Sequence, residues 1–185
     1  MRRLADLSNR RRGVLVLAVV GSVAVVLVML SAQRSSSAGP ADRADAGGSS
    51  DSVVPLRLAA IDGRALALPR RRAGMIMFST SACLTCFVAA RHMAEFKAEA
   101  SRPVDAAFIS IPPGDSTRAL AERQASIGRG PFPFAIDQTG TLGQQYRIAA
   151  LGTVVVYDSA GRIVARVIEP SLDDLRSAFR RAGVA

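Results

Sequence analysis

The feature that most limits what this chain can become is a strand-like run followed at once by a pair of cysteines. Gly74–Phe78 (Gly-Met-Ile-Met-Phe) is short, continuous and apolar, the pattern of a strand buried on both faces. After Ser79–Thr80–Ser81–Ala82 comes Cys83-Leu84-Thr85-Cys86, and from Cys83 to about Ala100 the composition favours helix. Phe87, Ala90, Ala94 and Ala98 can share one face there. A Cys-x-x-Cys that opens a helix after a buried strand places two thiols within one turn. Cys83, in the first turn, meets free N–H groups and the positive helix end, which favour thiolate over thiol. Only a thiolate attacks a disulfide. Cys83 is therefore the expected nucleophile. Cys86, one turn further in and better buried, is the expected resolving thiol.

Other readings of the pair are weaker. A purely stabilising disulfide across two residues closes too small a loop to gain much. Zinc needs four ligands, and this pair supplies two. The chain has only two cysteines and one histidine, which excludes a multi-disulfide scaffold, an all-cysteine zinc site and a multi-histidine centre. His92 lies nine positions after Cys83, on roughly the opposite helix face at about 100° per residue, and reads as a rim histidine rather than a copper ligand.

The rest of the second part alternates strands and helices. Leu56–Ala60 and Ala65–Leu68 flank Asp62–Gly63, a hairpin signal. Val104–Ile111 reads as a strand closed by Pro112–Pro113–Gly114. Asp115 or Ser116 then caps a helix to about Ser126, with Gly128 and Gly130 as its stop. Phe134–Ile136 is a short strand, and Leu142–Tyr146 one or two helical turns. Thr153–Tyr157 and Arg162–Ile168 pair antiparallel across Asp158–Gly161. Ser171 caps a last helix, acidic in its first turn and basic in its last. The expected fold class is α/β, with a mixed central sheet and helices on both faces.

The N-terminal part is different in kind. Gly13 to Ala32 carries no charge and Val14–Leu30 is almost wholly apolar, about the length that crosses a hydrocarbon core of roughly 30 Å. Arg2, Arg3, Arg10, Arg11 and Arg12 precede it against the single Asp6, and such a cluster stays cytoplasmic. Small residues at Leu30–Ser31–Ala32 leave a cleaved leader open as the alternative. The expected organisation is a cytoplasmic basic segment 1–12, a transmembrane anchor or signal 13–32, a flexible linker 33–52 rich in Ser, Ala, Gly and Asp, and a folded domain 53–185. With 49% apolar and 21% charged residues in a chain of 185, wholesale disorder is excluded. The net charge of +9 does not indicate nucleic-acid binding, because aromatic residues are only 5% and no basic stripe stands out.

These pieces, in this order, resemble the membrane-anchored thioredoxin-like thiol–disulfide oxidoreductases of the TlpA/ResA type. The matching segments are Leu56-Arg-Leu-Ala-Ala-Ile-Asp-Gly-Arg64, the strand ending in Phe78, the Cys-x-x-Cys, Phe132-Pro-Phe-Ala-Ile-Asp137, Gly140 with Tyr146-Arg-Ile148, Thr153-Val-Val-Val-Tyr-Asp158, and Gly161-Arg-Ile163. The resemblance implies a thioredoxin fold behind one N-terminal transmembrane helix, and a redox-active Cys83–Cys86 disulfide. It implies extracytoplasmic exchange with protein disulfide or dithiol substrates, in cytochrome c maturation or related envelope redox chemistry. Electrons would come from a transmembrane donor, with no cofactor and no metal. It also implies a substrate-positioning loop at Leu151, Gly152 and Thr153.

The chain departs from that pattern in places. Ala82 stands where Trp usually precedes the first cysteine, and Leu84-Thr85 lacks the usual proline. Gly152 aligns with the cis-proline that faces the disulfide, so the loop is expected to be trans and differently shaped. Met77 aligns with the buried acid of many thioredoxins, which leaves no obvious proton acceptor. Thr80-Ser81-Ala82-Cys83 also fits the Thr-x-x-Cys of a peroxiredoxin-like thiol peroxidase, without its preceding proline. A non-catalytic interaction module on the same fold is the remaining alternative.

Overall fold

In the computed structural model, residues 52–112, 115–128 and 132–184 are described. The basic segment 1–12, the apolar run 13–32 and linker residues 33–51 lie outside them. Among the described residues no helix is long and apolar enough to cross a membrane.

Five strands make a mixed sheet in the order β5-β4-β3-β6-β7: β3 (Gly74–Ser79), β4 (Asp105–Ser110), β5 (Phe134–Ile136), β6 (Thr153–Tyr157) and β7 (Ile163–Ile168). β3 pairs parallel with β4, and β4 with β5. β6 runs antiparallel to β3, and β7 antiparallel to β6 with a register shift at Val156/Tyr157. The three central strands are buried throughout, which is why each is apolar in its middle, with polar residues only at the ends. Their side chains alternate strictly between two cores. Met75, Met77, Ala106, Phe108, Val154 and Val156 face one side; Ile76, Phe78, Ala107, Ile109, Val155 and Tyr157 face the other.

The first face is covered by α1 (Leu84–Glu99), α2 (Thr117–Ser126) and α4 (Leu172–Arg181). The second is covered by the hairpin β1 (Leu56–Ala59) and β2 (Ala65–Leu68), together with the short α3 (Thr141–Gln145). The hairpin is a separate two-stranded sheet, tacked to the edge by a bridge from Ala60 to Ala135. Helices thus lie on both faces as expected, but unevenly. Ser52, assigned to the linker, already bridges to Arg162.

Local chemistry accounts for the element ends. Gly63, at φ +82°, closes the hairpin in a conformation that glycine adopts without steric cost. Ser171 and Asp174 form a reciprocal capping box at α4. Ser116, not Asp115, caps α2, accepting from Ala119 N–H at 3.1 Å. The buried stripe of α1 is Cys86, Phe87, Ala89, Ala90, Met93 and Phe96. Ala98, placed on that face by periodicity, is exposed because the helix there has passed Phe96, the last residue of its buried stripe.

Candidate active site

The C-terminal end of β3 delivers the chain to α1 through Ser79–Ala82. Two contacts hold this link. Ser81 N–H donates to Asp115 Oδ2 at 2.6 Å, and Ser81 Oγ donates to Asp115 Oδ1. Ser110 Oγ at the end of β4 donates to the same carboxylate at 2.5 Å. Asp115 therefore clamps the segment before the cysteines to the neighbouring strand. The buried Thr80 accepts Cys83 N–H through its carbonyl at 3.3 Å.

Cys83 is the N-cap of α1, with extended backbone and no side chain capping it. The first N–H groups of the helix thus point toward its sulfur end unclaimed by a cap. Cys83 and Cys86 are joined in a disulfide, Cα to Cα 5.4 Å. Cys83 is partly exposed and Cys86 fully buried. The asymmetry expected from their places in the turn is present. Phe87, next to Cys86, docks α1 on the sheet by stacking on Phe108, ring centroids 5.7 Å apart.

Gly152, in the loop Leu151–Gly152–Thr153, lies against the pair. Gly152 N–H donates to Phe78 O at 2.9 Å and Thr153 Oγ1 to Ala150 O at 2.7 Å. Among the described residues the one cis peptide is Leu68–Pro69, so this loop is trans. Gly152 sits at φ +78°, and a Cβ built on it falls 3.0 Å from Cys86 Sγ. Gly152 therefore lies at the pair, in a shape that glycine permits, with Leu151 and Thr153 as its chain neighbours.

Glu169 is the site residue that sequence reasoning missed. It follows β7 at φ +47°, and its N–H donates to Gly152 O at 2.9 Å. Its Oε1 accepts from Thr85 Oγ1 at 2.6 Å and lies 3.7 Å from Cys86 Sγ and 3.9 Å from Cys83 Sγ. A carboxylate thus borders the pair, where none was expected. His92, expected at the rim, is half-buried, and its Nδ1 meets Pro170 O at 2.9 Å, pinning the segment that carries Glu169. With the disulfide closed, Cys83 Sγ, Cys86 Sγ and a Glu169 oxygen lie within 4.8 Å of one another, the one cluster of three possible metal-ligand side chains among the described residues.

The apolar surface is concentrated here too. The large hydrophobic side chains exposed among the described residues are Leu84, Val88, Leu151 and Ile168. Leu84 lies between the cysteines and Val88 one turn on. Leu151 precedes Gly152, and Ile168 precedes Glu169.

No protein-family model matches the chain. It is 26% identical over 147 residues to a Streptomyces lividans protein named "Mercury resistance operon ORF3", covering 78% of this chain and 77% of that one. Solved structures share its architecture at low identity. StoA from Bacillus subtilis superimposes with TM-score 0.56 at 20% identity, over 69% of this chain and 97% of that one. A thiol-disulfide oxidoreductase from Bacteroides fragilis gives 0.58 at 19%, over 70% and 98%. A secreted Mycobacterium tuberculosis disulfide oxidoreductase homologous to E. coli DsbE gives 0.57 at 16%, over 69% and 95%. A five-stranded mixed sheet with this order, with a Cys-x-x-Cys disulfide at the start of its first long helix, is the thioredoxin fold, and this chain has it.

Proposed function

We propose that this protein is a membrane-anchored, extracytoplasmic thiol–disulfide oxidoreductase of the TlpA/ResA type, acting on protein substrates. Cys83 is the nucleophile and Cys86 the resolving thiol. The observation that carries the reading is the Cys83–Cys86 disulfide at the N-terminus of α1, one sulfur within reach of solvent and the other buried. In exchange, Cys83 thiolate attacks a substrate disulfide and releases one substrate thiolate. Cys86 thiolate then attacks Cys83 Sγ, releasing the second and closing the pair. Two electrons and two protons pass to the substrate, and a transmembrane dithiol donor returns them.

A protein substrate is supported by the exposed apolar side chains Leu84, Val88, Leu151 and Ile168, which neighbour the cysteines, Gly152 and Glu169 in the chain. Such a patch suits the side chains flanking a cysteine in a polypeptide. Leu151, Gly152 and Thr153 form the substrate-positioning loop. Anchoring is supported by the uncharged run 13–32 and the arginines before it. Cytochrome c maturation, or related envelope chemistry, is the setting such an anchor suggests.

The experiment is alkylation of the reduced protein against pH. Cys83 is expected to react first, and at a pH below the usual thiol value of about 8.5, while Cys86 stays protected. Equal reactivity of both thiols at neutral pH overturns the assignment of roles.

One observation favours a second reading, capture of a thiophilic divalent ion by the reduced pair and Glu169. The two sulfurs and a Glu169 oxygen lie within 4.8 Å in the disulfide form, and reduction would turn them into three ligands of a tetrahedral site with one open position. The similar Streptomyces lividans protein carries a mercury-resistance name. Reduced protein is expected to bind one Hg²⁺ and to release protons as thiols become thiolates. Equal uptake by the oxidised protein removes this reading.

A further inference from the structure

We propose that the end of the domain opposite the cysteines docks on the anionic phospholipid headgroups of the membrane, holding the Cys83–Cys86 pair away from the bilayer. This docking rests on the membrane anchor proposed above, and it adds a lipid-facing surface to the folded domain.

The topology defines that end. Gly74, the first residue of β3, pairs with Asp105, the first of β4, and with Tyr157, the last of β6. The cysteines follow the other end of β3. Because β4 is parallel to β3, α1 runs back from the cysteines toward the start of β4, over about 24 Å for its 16 residues at about 1.5 Å each. The end of α1 meets the end of α4: Phe96 stacks on Phe179 at 4.4 Å, and Arg176 meets Glu99 at 2.7 Å. Arg70, Arg72 and Lys97 line one cavity of about 330 Å³ together with Asp105, which joins the loop after β2 to the end of α1. A Cβ built on Gly161 falls 3.5 Å from the Pro69 ring, so the turn after β6 lies beside that same loop.

These segments gather charge of one sign. The carboxylates among them are each met by an arginine: Asp105 by Arg72 at 3.4 Å, Asp158 by Arg162 at 2.7 Å, and Glu99 by Arg176. Arg70, Arg71, Lys97, Arg102, Arg180 and Arg181 stand in excess of those pairs. Beyond Arg70–Arg72 they are scattered along the chain, which is why the sequence shows no basic stripe. The fold collects them from three segments. At the cysteine end Asp137 follows β5, Glu169 follows β7, and Asp173 and Asp174 open α4, against Arg118 and Arg147. The domain is thus polarised along its length, and an anionic surface attracts the end away from the sulfurs.

The place where the chain enters the domain selects the occupant. Val53 N–H donates to Gly161 O at 2.7 Å, and Ser52 bridges to Arg162. The polypeptide coming from the apolar run 13–32 therefore joins the domain at its basic end. A chain with the length and Gly- and Ser-containing composition of 33–52 reaches about 25 Å root mean square. For an anchored chain the bilayer is the anionic surface nearest this face, at an effective concentration that makes weak contacts count. Each lysine or arginine at such a surface shifts the docking equilibrium about fivefold.

The chain carries its own probe, because Lys97 is its one lysine and belongs to the patch. The full chain is placed in nanodiscs of phosphatidylcholine, or of phosphatidylcholine mixed with phosphatidylglycerol. Lys97 is then acylated with an uncharged succinimidyl ester and its rate followed by mass spectrometry. The rate is expected to be on the order of tenfold slower in the anionic discs. It should recover near 1 M salt, where the Debye length is about 3 Å. The combined variant Arg71→Gln, Arg102→Gln and Arg181→Gln keeps Lys97 and the same lipid, and is expected to lose the protection. Arg118→Gln, at the cysteine end, is expected to keep it. Glycerol phosphate added to neutral discs is expected to give none. Equal rates in the two lipids, protection that survives the combined variant, or equal protection by glycerol phosphate overturns the proposal. Failure of the chain to stay in neutral discs removes the anchor instead, and the comparison of wild type with the combined variant on anionic discs still decides the docking.

Discussion

Cys83→Ser abolishes disulfide exchange and Cys86→Ser leaves the protein joined to its substrate: these are the expected results with the largest effect on activity. Cys86 is fully buried, with Gly152 close against its sulfur, so an incoming substrate disulfide meets Cys83 first. Cys83 also holds the N-cap, where unsatisfied helix N–H groups favour its thiolate. Replacing its sulfur by a hydroxyl removes the attacking atom, and turnover of a protein disulfide such as insulin should fall by about 10³-fold or more. Cys86→Ser leaves the first step intact and deletes the second. The product is a mixed disulfide on Cys83, seen as an added mass that a reductant removes. Substantial turnover by Cys83→Ser, or an adduct that forms through Cys86 instead, reverses the roles. If neither variant differs from wild type, the fold is serving as an interaction module.

The parts of this site that were legible in the sequence are those fixed by neighbouring residues. A buried strand, a Cys-x-x-Cys and a helix are contiguous, and so is the hairpin turn at Asp62–Gly63. The residues that escaped are fixed by partners far along the chain. Asp115 reads as a helix cap because it stands just before α2, yet Ser116 takes that place and Asp115 reaches back to Ser81. Glu169 was hidden more subtly. Antiparallel pairing of β6 and β7 puts Thr153 opposite Ile168, and so brings Gly152 beside Glu169. Counting outward from the Asp158–Gly161 turn would find this, except that the register slips at Val156/Tyr157. Without that irregularity the count sets Ile168, an ordinary apolar strand residue, beside Gly152. A β-bulge has no strong local signal, and one extra residue is enough to exchange an apolar contact for a carboxylate. Met77 is a buried apolar residue of β3. It did not follow that the pair lacked a carboxylate.

The largest expected loss of stability comes from Phe108→Ala. Phe108 is fully buried in mid-β4, and its ring lies 4.4 Å from that of Phe134 and 5.7 Å from that of Phe87. Phe134 in turn stacks on Phe132 at 5.7 Å. Removing the middle ring leaves a cavity between helix and sheet. Such truncations cost about 3–5 kcal/mol, a large share of the roughly 5–15 kcal/mol that holds a domain together. Denaturant unfolding should show it as a lower midpoint, and a loss below about 1 kcal/mol would mean that the stack is not what seats α1. Phe87 also follows Cys86 directly, so the same cavity loosens the first turn on which the sulfurs sit. Phe108→Leu separates the two effects. It keeps most of the volume and should cost less than its alanine counterpart. If exchange activity follows stability through both variants, the aromatic stack acts on the site by holding the helix down. If Phe108→Leu loses exchange while remaining folded, the geometry of the disulfide depends on the ring itself.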